Sequence, residues 1–184
     1  MNAQLQPSGS AYFLETTKPA IETHALAVIV DNEPGVLARV IGLFSGRGYN
    51  IDSLTVTETE HDKHVSRITI VTKGTPGAIE QIGHQLERLV PVHKVTDLTL
   101  AVDAIERELA MVKVRGKGEA RVEALRLADA FKARVIDATL ESFVFELTGK
   151  PKKIDDFVEL MRPIGLVEVS RTGVAAISRG PDKI

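Results

Sequence analysis

The stretch from Val30 to Val56, VDNEPGVLARVIGLFSGRGYNIDSLTV, constrains the fold more than any other part of the chain. Asp31, Asn32, Pro34 and Gly35 crowd a turn, and Val36, Leu37, Val40, Ile41 and Phe44 then recur at the spacing of one helical face. Gly46 and Gly48 end that helix, so Tyr49 to Val56 leaves as a strand. A helix with one apolar face between two strands needs a sheet to cover. The polar turn therefore stands at a helix N-terminus, where unpaired N–H groups and a partial positive charge suit a small carboxylate. Asn32 and Asn50 sit at the two ends of the helix's connections. There they either offer amide donors and acceptors to a ligand or serve only as a cap and a turn residue.

The rest of the chain supplies the sheet. The apolar run from His24 to Val30 reads as a strand buried on both faces; Ile51 to Thr59 and Val65 to Val71 make a hairpin around the charged turn Glu60 to Lys63. Thr75 and Pro76 open a second helix whose stripe is Ile79, Ile82, Leu86 and Leu89, and Val92 to Leu98 is a fourth strand. The order strand, helix, strand, strand, helix, strand predicts an α+β, ferredoxin-like βαββαβ module, an antiparallel sheet with both helices on one face and the other face bare. After a transition over 99–107 the order repeats. Glu108 to Val114 is a strand, Val122, Leu125, Ala128 and Phe131 mark a helix face, and Ala133 to Leu140 and Ser142 to Leu147 form a hairpin. A helix carrying Ile154, Phe157, Val158 and Met161 follows, Leu166 to Ser170 closes the unit, and Val174 to Ile177 extends it. The expected organisation is an N-terminal extension over 1–21, a module over 22–98, a linker over 99–107 and a second module over 108–184.

Chemistry-bearing patterns are sparse. The chain has no cysteine, which excludes disulfides, thiolate metal sites and a cysteine nucleophile and fits a cytoplasmic protein. A formal net charge of −2 gives no support to nucleic-acid or membrane-surface binding. No apolar run approaches the roughly 20 residues a membrane-spanning helix needs, and the start lacks the pattern of a secretory signal. Glu60, His61, Asp62 and His64 lie together in a turn without further ligands and are expected to be solvated rather than metal-bound. His84 and His93 are expected at the surface, and His24 is either packed or in contact with a ligand. Lys113 to Lys117, KVRGK, is an anion cradle or a solvated turn; Phe143 and Phe145, beside Glu141 and Glu146, read as core rather than as RNA-stacking rings. No nucleophile elbow, phosphate loop, dinucleotide fingerprint or zinc-protease motif is present, so no catalytic residue is assigned.

The segments DNEPGVLARVIGLFSGRGYNIDSLTV, AIERELAMVKV and EVSRTGVAAISRG, spread over about residues 22 to 180, resemble the acetolactate synthase (acetohydroxyacid synthase) small-subunit family with its ACT domain. The resemblance implies an N-terminal ACT domain and a C-terminal ACT-like domain. It implies a non-catalytic regulatory subunit of branched-chain amino-acid biosynthesis that activates a catalytic acetolactate synthase subunit and confers feedback inhibition by valine. Thiamine diphosphate, magnesium and FAD are then expected in the catalytic partner, with no cofactor or metal in this chain. It further implies a homodimer whose ACT domains share a sheet, with valine bound at the interface by Asn32, Gly35, Val36, Leu37 and Asn50. Ala38 departs from the pattern, since some relatives carry Ser there. The competing readings are an ACT regulator of another enzyme or of transcription, which needs a basic or helix-turn-helix surface, and a small ferredoxin-like enzyme.

Overall fold

The structure, a computed structural model, describes residues 20–60, 62, 64–100 and 104–181, with the side chain of Glu60 left aside. Most of the expected N-terminal extension, linker positions 101–103, and His61 and Lys63 of the charged turn lie outside the described residues. The first module runs β1 (Glu22–Asp31), α1 (Val36–Gly46), β2 (Ile51–Glu60), β3 (Val65–Gly74), α2 (Pro76–Glu87) and β4 (Val92–Asp97). The second runs β5 (Ile105–Arg115), α3 (Glu119–Phe131), β6 (Arg134–Ala138), β7 (Ser142–Gly149), α4 (Pro151–Gly165) and β8 (Leu166–Arg171), followed by β9 (Ala175–Ile177). The sheet orders β2-β3-β1-β4 and β6-β7-β5-β8 are the same topology twice, with antiparallel neighbours throughout. Strand β5 starts at Ile105, so the last three residues of the expected linker are strand.

Each helix layer is fixed by one stripe of apolar residues. In the first module Val36, Val40 and Phe44 of α1 and Ile79, Ile82 and Leu86 of α2 pack on Leu26, Val28 and Val30 of β1 and on Ile68 and Ile70 of β3. Thr75 caps α2 as its sequence predicts, its hydroxyl accepting from the Ala78 amide at 3.3 Å. Two expected helix faces are corrected. Leu37 and Ile41 lie on the flank of α1, each 38% exposed, because a helix on a sheet buries only the 36–40–44 stripe. In α3 the small Ala124 and Ala128 face the core, and Val122 and Leu125 are exposed. Phe143 and Phe145 are buried, Phe143 beneath the Arg121 guanidinium at 3.9 Å, so neither ring is open to a base.

The outer face of the first sheet is not bare. Alternation along β1 places Ala25 and Ala27 opposite the helix-facing residues, and these meet Leu98, Val174 and Ala176 in a third small core. That contact explains why β1 is apolar without alternation from Ala25 to Val30. The segment that makes it is a clasp from the second module. Val174 N–H donates to Ser53 Oγ at 2.9 Å, Thr55 Oγ1 donates to Val174 O at 3.2 Å, and Arg67 Nη2 donates to Ala176 O at 2.6 Å. Burial against this clasp lowers the pKa of Arg67. β9 itself pairs with the first three residues of β5.

The sequence RTG, residues 171–173, anchors the clasp. Arg171 donates through Nε and Nη2 to Glu108 at 2.7 and 2.5 Å and through Nη1 to Asp155 at 2.6 Å, joining β8, β5 and α4. These bonds, that to Glu108 foremost, raise the arginine's pKa above its usual range. Thr172 N–H donates to Leu109 O at 3.0 Å. Gly173 has φ +83, and a Cβ there would lie 2.8 Å from Ser53 Oγ and 3.0 Å from Thr55 Cγ2. We expect Gly173→Ala to lower stability by about 2 kcal/mol, the cost of a left-handed non-glycine residue plus the crowding, measured by urea unfolding. We expect Arg171→Met to cost about 3 kcal/mol in the same assay, because Glu108, only 5% exposed, is left without its partner.

Candidate effector site

The turn between β1 and α1 is held by its backbone. Asp31 N–H donates to Pro91 O at 2.9 Å and Asn32 N–H to His64 O at 2.7 Å, pinning the end of β1 to the start of β4 and to the β2–β3 hairpin. Asp31 also meets His93, Nε2 to Oδ1 at 2.6 Å. Gly35, not Asn32, is the residue before the helix; it has φ +87, and no side chain caps α1. The reading of Asn32 as a cap is therefore corrected. Val36 N–H reaches Glu33 O at 3.4 Å, whereas the amides of Leu37 and Ala38 have no acceptor among the described residues. No acidic residue stands in the first turn. A Cβ on Gly35 would meet nothing within 4 Å, so the helix end opens onto free space. This is the arrangement that favours a small anion.

The five predicted site residues are only partly brought together. Asn32, Gly35, Val36 and Leu37 share the N-terminal end of α1; the Val36 side chain is buried in the core, so only its backbone faces the turn. Asn50 lies at the other end. The 11-residue α1 separates the two asparagines by roughly 16 Å of helix. Asn50 Nδ2 donates to Asp52 Oδ1 at 2.6 Å, its carbonyl accepts from Thr72 Oγ1 at 2.6 Å, and Asp52 pairs with Lys73 at 2.8 Å. That pairing raises the lysine's pKa. His24 is at the opposite end of β1 from the turn, and so is not part of this site.

The other chemical candidates resolve into surface pairs. Lys113 meets Glu168 at 2.5 Å, and Lys117 and Arg115 both meet Glu141, so the KVRGK cations are paired with carboxylates. His84 is exposed on α2. Among the described residues no group of three or more His, Asp or Glu is placed to hold a metal ion, and no helix is long and apolar enough to cross a membrane.

Fold and site together define a tandem of ACT-like regulatory modules. The family model for the AHAS small subunit-like ACT domain matches residues 26–94, and that for the small subunit of acetolactate synthase matches 107–180. The chain is 45% identical over 160 residues to a probable acetolactate synthase small subunit of Archaeoglobus fulgidus, covering 87% of this chain and 99% of the relative. It is 44% identical over 160 residues to the isozyme 3 small subunit of Escherichia coli, covering 86% and 96%. The crystal structure of the acetolactate synthase small subunit from Thermotoga maritima superposes with a TM-score of 0.78 at 38% identity, covering 88% of this chain and 99% of that one. The chain belongs to the acetolactate synthase small-subunit family. It is a non-catalytic, regulatory subunit.

The sequence places Asn32 and Asn50 at the two ends of the helix's connections and marks Ala38 only for its missing hydroxyl; the structure adds the open amide of Ala38 beside that of Leu37 and the distance between the asparagines. The amide could have been found by counting orphan donors at a helix start, and the distance from the length of α1. We expect Gly35→Ala, a smaller change than any charged substitution, to cost about 1 kcal/mol by thermal unfolding through its positive φ while leaving the fold intact.

Proposed function

We propose that two copies of this chain pair through β2 and bind valine between the α1 N-terminus of one and Asn50 of the other. The observation that carries this reading is the open, uncapped start of α1 in a chain of this family, with its matching asparagine held one helix-length away. Strand β2 is the sheet edge, its backbone ladder shared only with β3 among the described residues. A two-fold axis normal to the sheet joins two such edges antiparallel and keeps all helices on one side. The Ile51 end of one β2 then meets the Glu60 end of the other, where His64 and the Asn32 turn lie. Val56, 46% exposed, falls near the axis at mid-strand, and Leu37 and Ile41 supply an apolar flank for the second copy to cover.

Valine fits the chemistry of such a cradle. The amides of Leu37 and Ala38 receive its carboxylate, Asn32 and Asn50 orient its polar end, and the apolar flank takes its side chain. A submillimolar affinity, roughly −5 kcal/mol over about eight heavy atoms, asks about −0.6 kcal/mol per atom, within reach of a preorganised pocket. The partner whose output it controls is a cytoplasmic acetolactate synthase catalytic subunit carrying thiamine diphosphate, magnesium and FAD, activated by this chain and inhibited when valine is bound. Inhibition requires that valine bind two states of the complex unequally.

Reconstitution with a catalytic subunit and a valine titration of acetolactate production tests the reading. Gly35→Asp is expected to abolish inhibition and retain activation, because it sets a carboxylate against the ligand's own; Asn50→His weakens inhibition likewise. Retained valine sensitivity in Gly35→Asp refutes this site. Val56→Lys, which places like charges at the axis, is expected to shift the dimer to monomer in sedimentation velocity and to lose valine binding with it.

A further inference from the structure

At the edge of the first sheet opposite β2, strands β1 and β4 and helix α2 flank an open cavity of about 530 Å³. Leu26, Ile79 and Val95 line it with apolar surface. His24 lies at its wall, 3% exposed, with a defined ring orientation. Its Nδ1 meets Asp97 Oδ2 at 2.7 Å; Asp97 Oδ1 in turn accepts from Thr99 N–H at 2.9 Å, and Thr99 Oγ1 accepts from Ala25 N–H at 2.9 Å. A carboxylate on Nδ1 puts the proton there and leaves Nε2 as the ring's hydrogen-bond acceptor. That Nε2 is buried without a hydrogen-bond partner, and Glu22 Oε2 stands 3.7 Å away, too far to serve.

The groups around it select the sign of a ligand. Glu22, Glu80, Glu87 and Asp97 all line the cavity, and no lysine or arginine does so among the described lining residues. The remaining histidine, His84, sits between Glu80 and Glu87 at 3.7 and 3.6 Å. An anion entering here meets four carboxylates. A cationic N–H donor instead satisfies the orphan Nε2 and is attracted by the same four groups, while its hydrocarbon part lies on Leu26, Ile79 and Val95.

We propose that this cavity is a second ligand site, distinct from the valine cradle, that takes a small alkylamine: a primary ammonium on a short apolar body without a carboxylate. The site lies at the opposite end of β1 from Gly35 and does not depend on dimer formation through β2.

The test uses the purified full chain, with isobutylammonium as the probe and isobutyrate as the anion of matched shape, followed by NMR of the histidine ring nitrogens. Isobutylammonium is expected to bind saturably, with Kd on the order of 1 mM for about five heavy atoms, and to move the Nε2 resonance of His24. Isobutyrate is expected to bind at least about tenfold more weakly, and His24→Leu to weaken the amine by at least about tenfold. The exposed pair Glu80→Gln with Glu87→Gln, which leaves the core untouched, is expected to weaken it about threefold. Gly35→Asp is expected to leave amine binding unchanged, which separates this site from the valine site. Equal binding of amine and acid overturns the proposal, as does an amine affinity that ignores His24→Leu. Should His24→Leu not fold, an unchanged affinity in the Glu80 and Glu87 double variant overturns it instead.

Discussion

The length of α1 is the constraint on which the functional reading rests. A helix of 11 residues is long enough to carry Asn32 and Asn50 to opposite ends of the sheet, and both are rigidly attached to it through the turn at Gly35 and the strand start at Ile51. No side-chain rotation spans roughly 16 Å, so a ligand the size of an amino acid cannot touch both asparagines of one copy. A second copy in antiparallel register removes the difficulty, because the two-fold axis exchanges the ends of β2. The free edge of that strand, a liability for an isolated module, becomes the device that completes the proposed pocket. Sensing and association are then one event: whatever orders the pocket also strengthens the pairing.

The clasp gives such an event a physical route into the second module. Asn50 immediately precedes the strand whose outward-facing hydroxyls, Ser53 and Thr55, hold the backbone of Val174. The carbonyl of Ala176 is held from β3 by Arg67, and β9 is at the same time bonded to β5. A shift of β2 on ligand binding must either break bonds to the clasp or carry the second module with it. The network of Arg171, Glu108 and Asp155, anchored on the buried Glu108, makes the latter the cheaper response, since it ties the clasp to β5 and α4 through three charge-assisted bonds. Coupling along this route draws on two states of unequal affinity for the effector.

The parts legible in the sequence are those set by contacts close along the chain. The βαββαβ order, the Thr75 cap and the polar turn before α1 all follow from spacing and turn chemistry within a few residues. Size and apolarity misled where packing geometry decides. In α3 the large Val122 and Leu125 look like the buried face, but alanines at 124 and 128 let the helix approach its neighbours, and the bulkier residues point outward. The five apolar positions of α1 span more arc than a sheet can cover, so Leu37 and Ile41 are left for another surface. The clasp was not legible at all: the bonds from Thr55 and Ser53 to Val174 join residues 119 and 121 apart, and nothing in RTGVAAI announces a partner in another module. His24 is the same case, its carboxylate partner lying 73 residues on.

The two outer sheet faces show why one module and not the other is clasped. On the first, Ala25, Ala27 and Thr69 offer small, nearly uncharged surface that a strand can cover at close range, and Arg67 at its margin has a backbone carbonyl to bond. On the second, the matching positions carry Met111 and Val144 among charges, Lys113 with Glu168 and Arg134 with Glu146. The hydrogen bond from Lys113 lowers the pKa of Glu168, which favours the charged, hydrated form of that exposed pair. Covering it dry would cost the desolvation of both ions, which exposed pairs of this kind seldom return. A single C-terminal segment placed between the modules is therefore drawn to the first face. This leaves the second face in water, suited to a wet, polar contact rather than to a core.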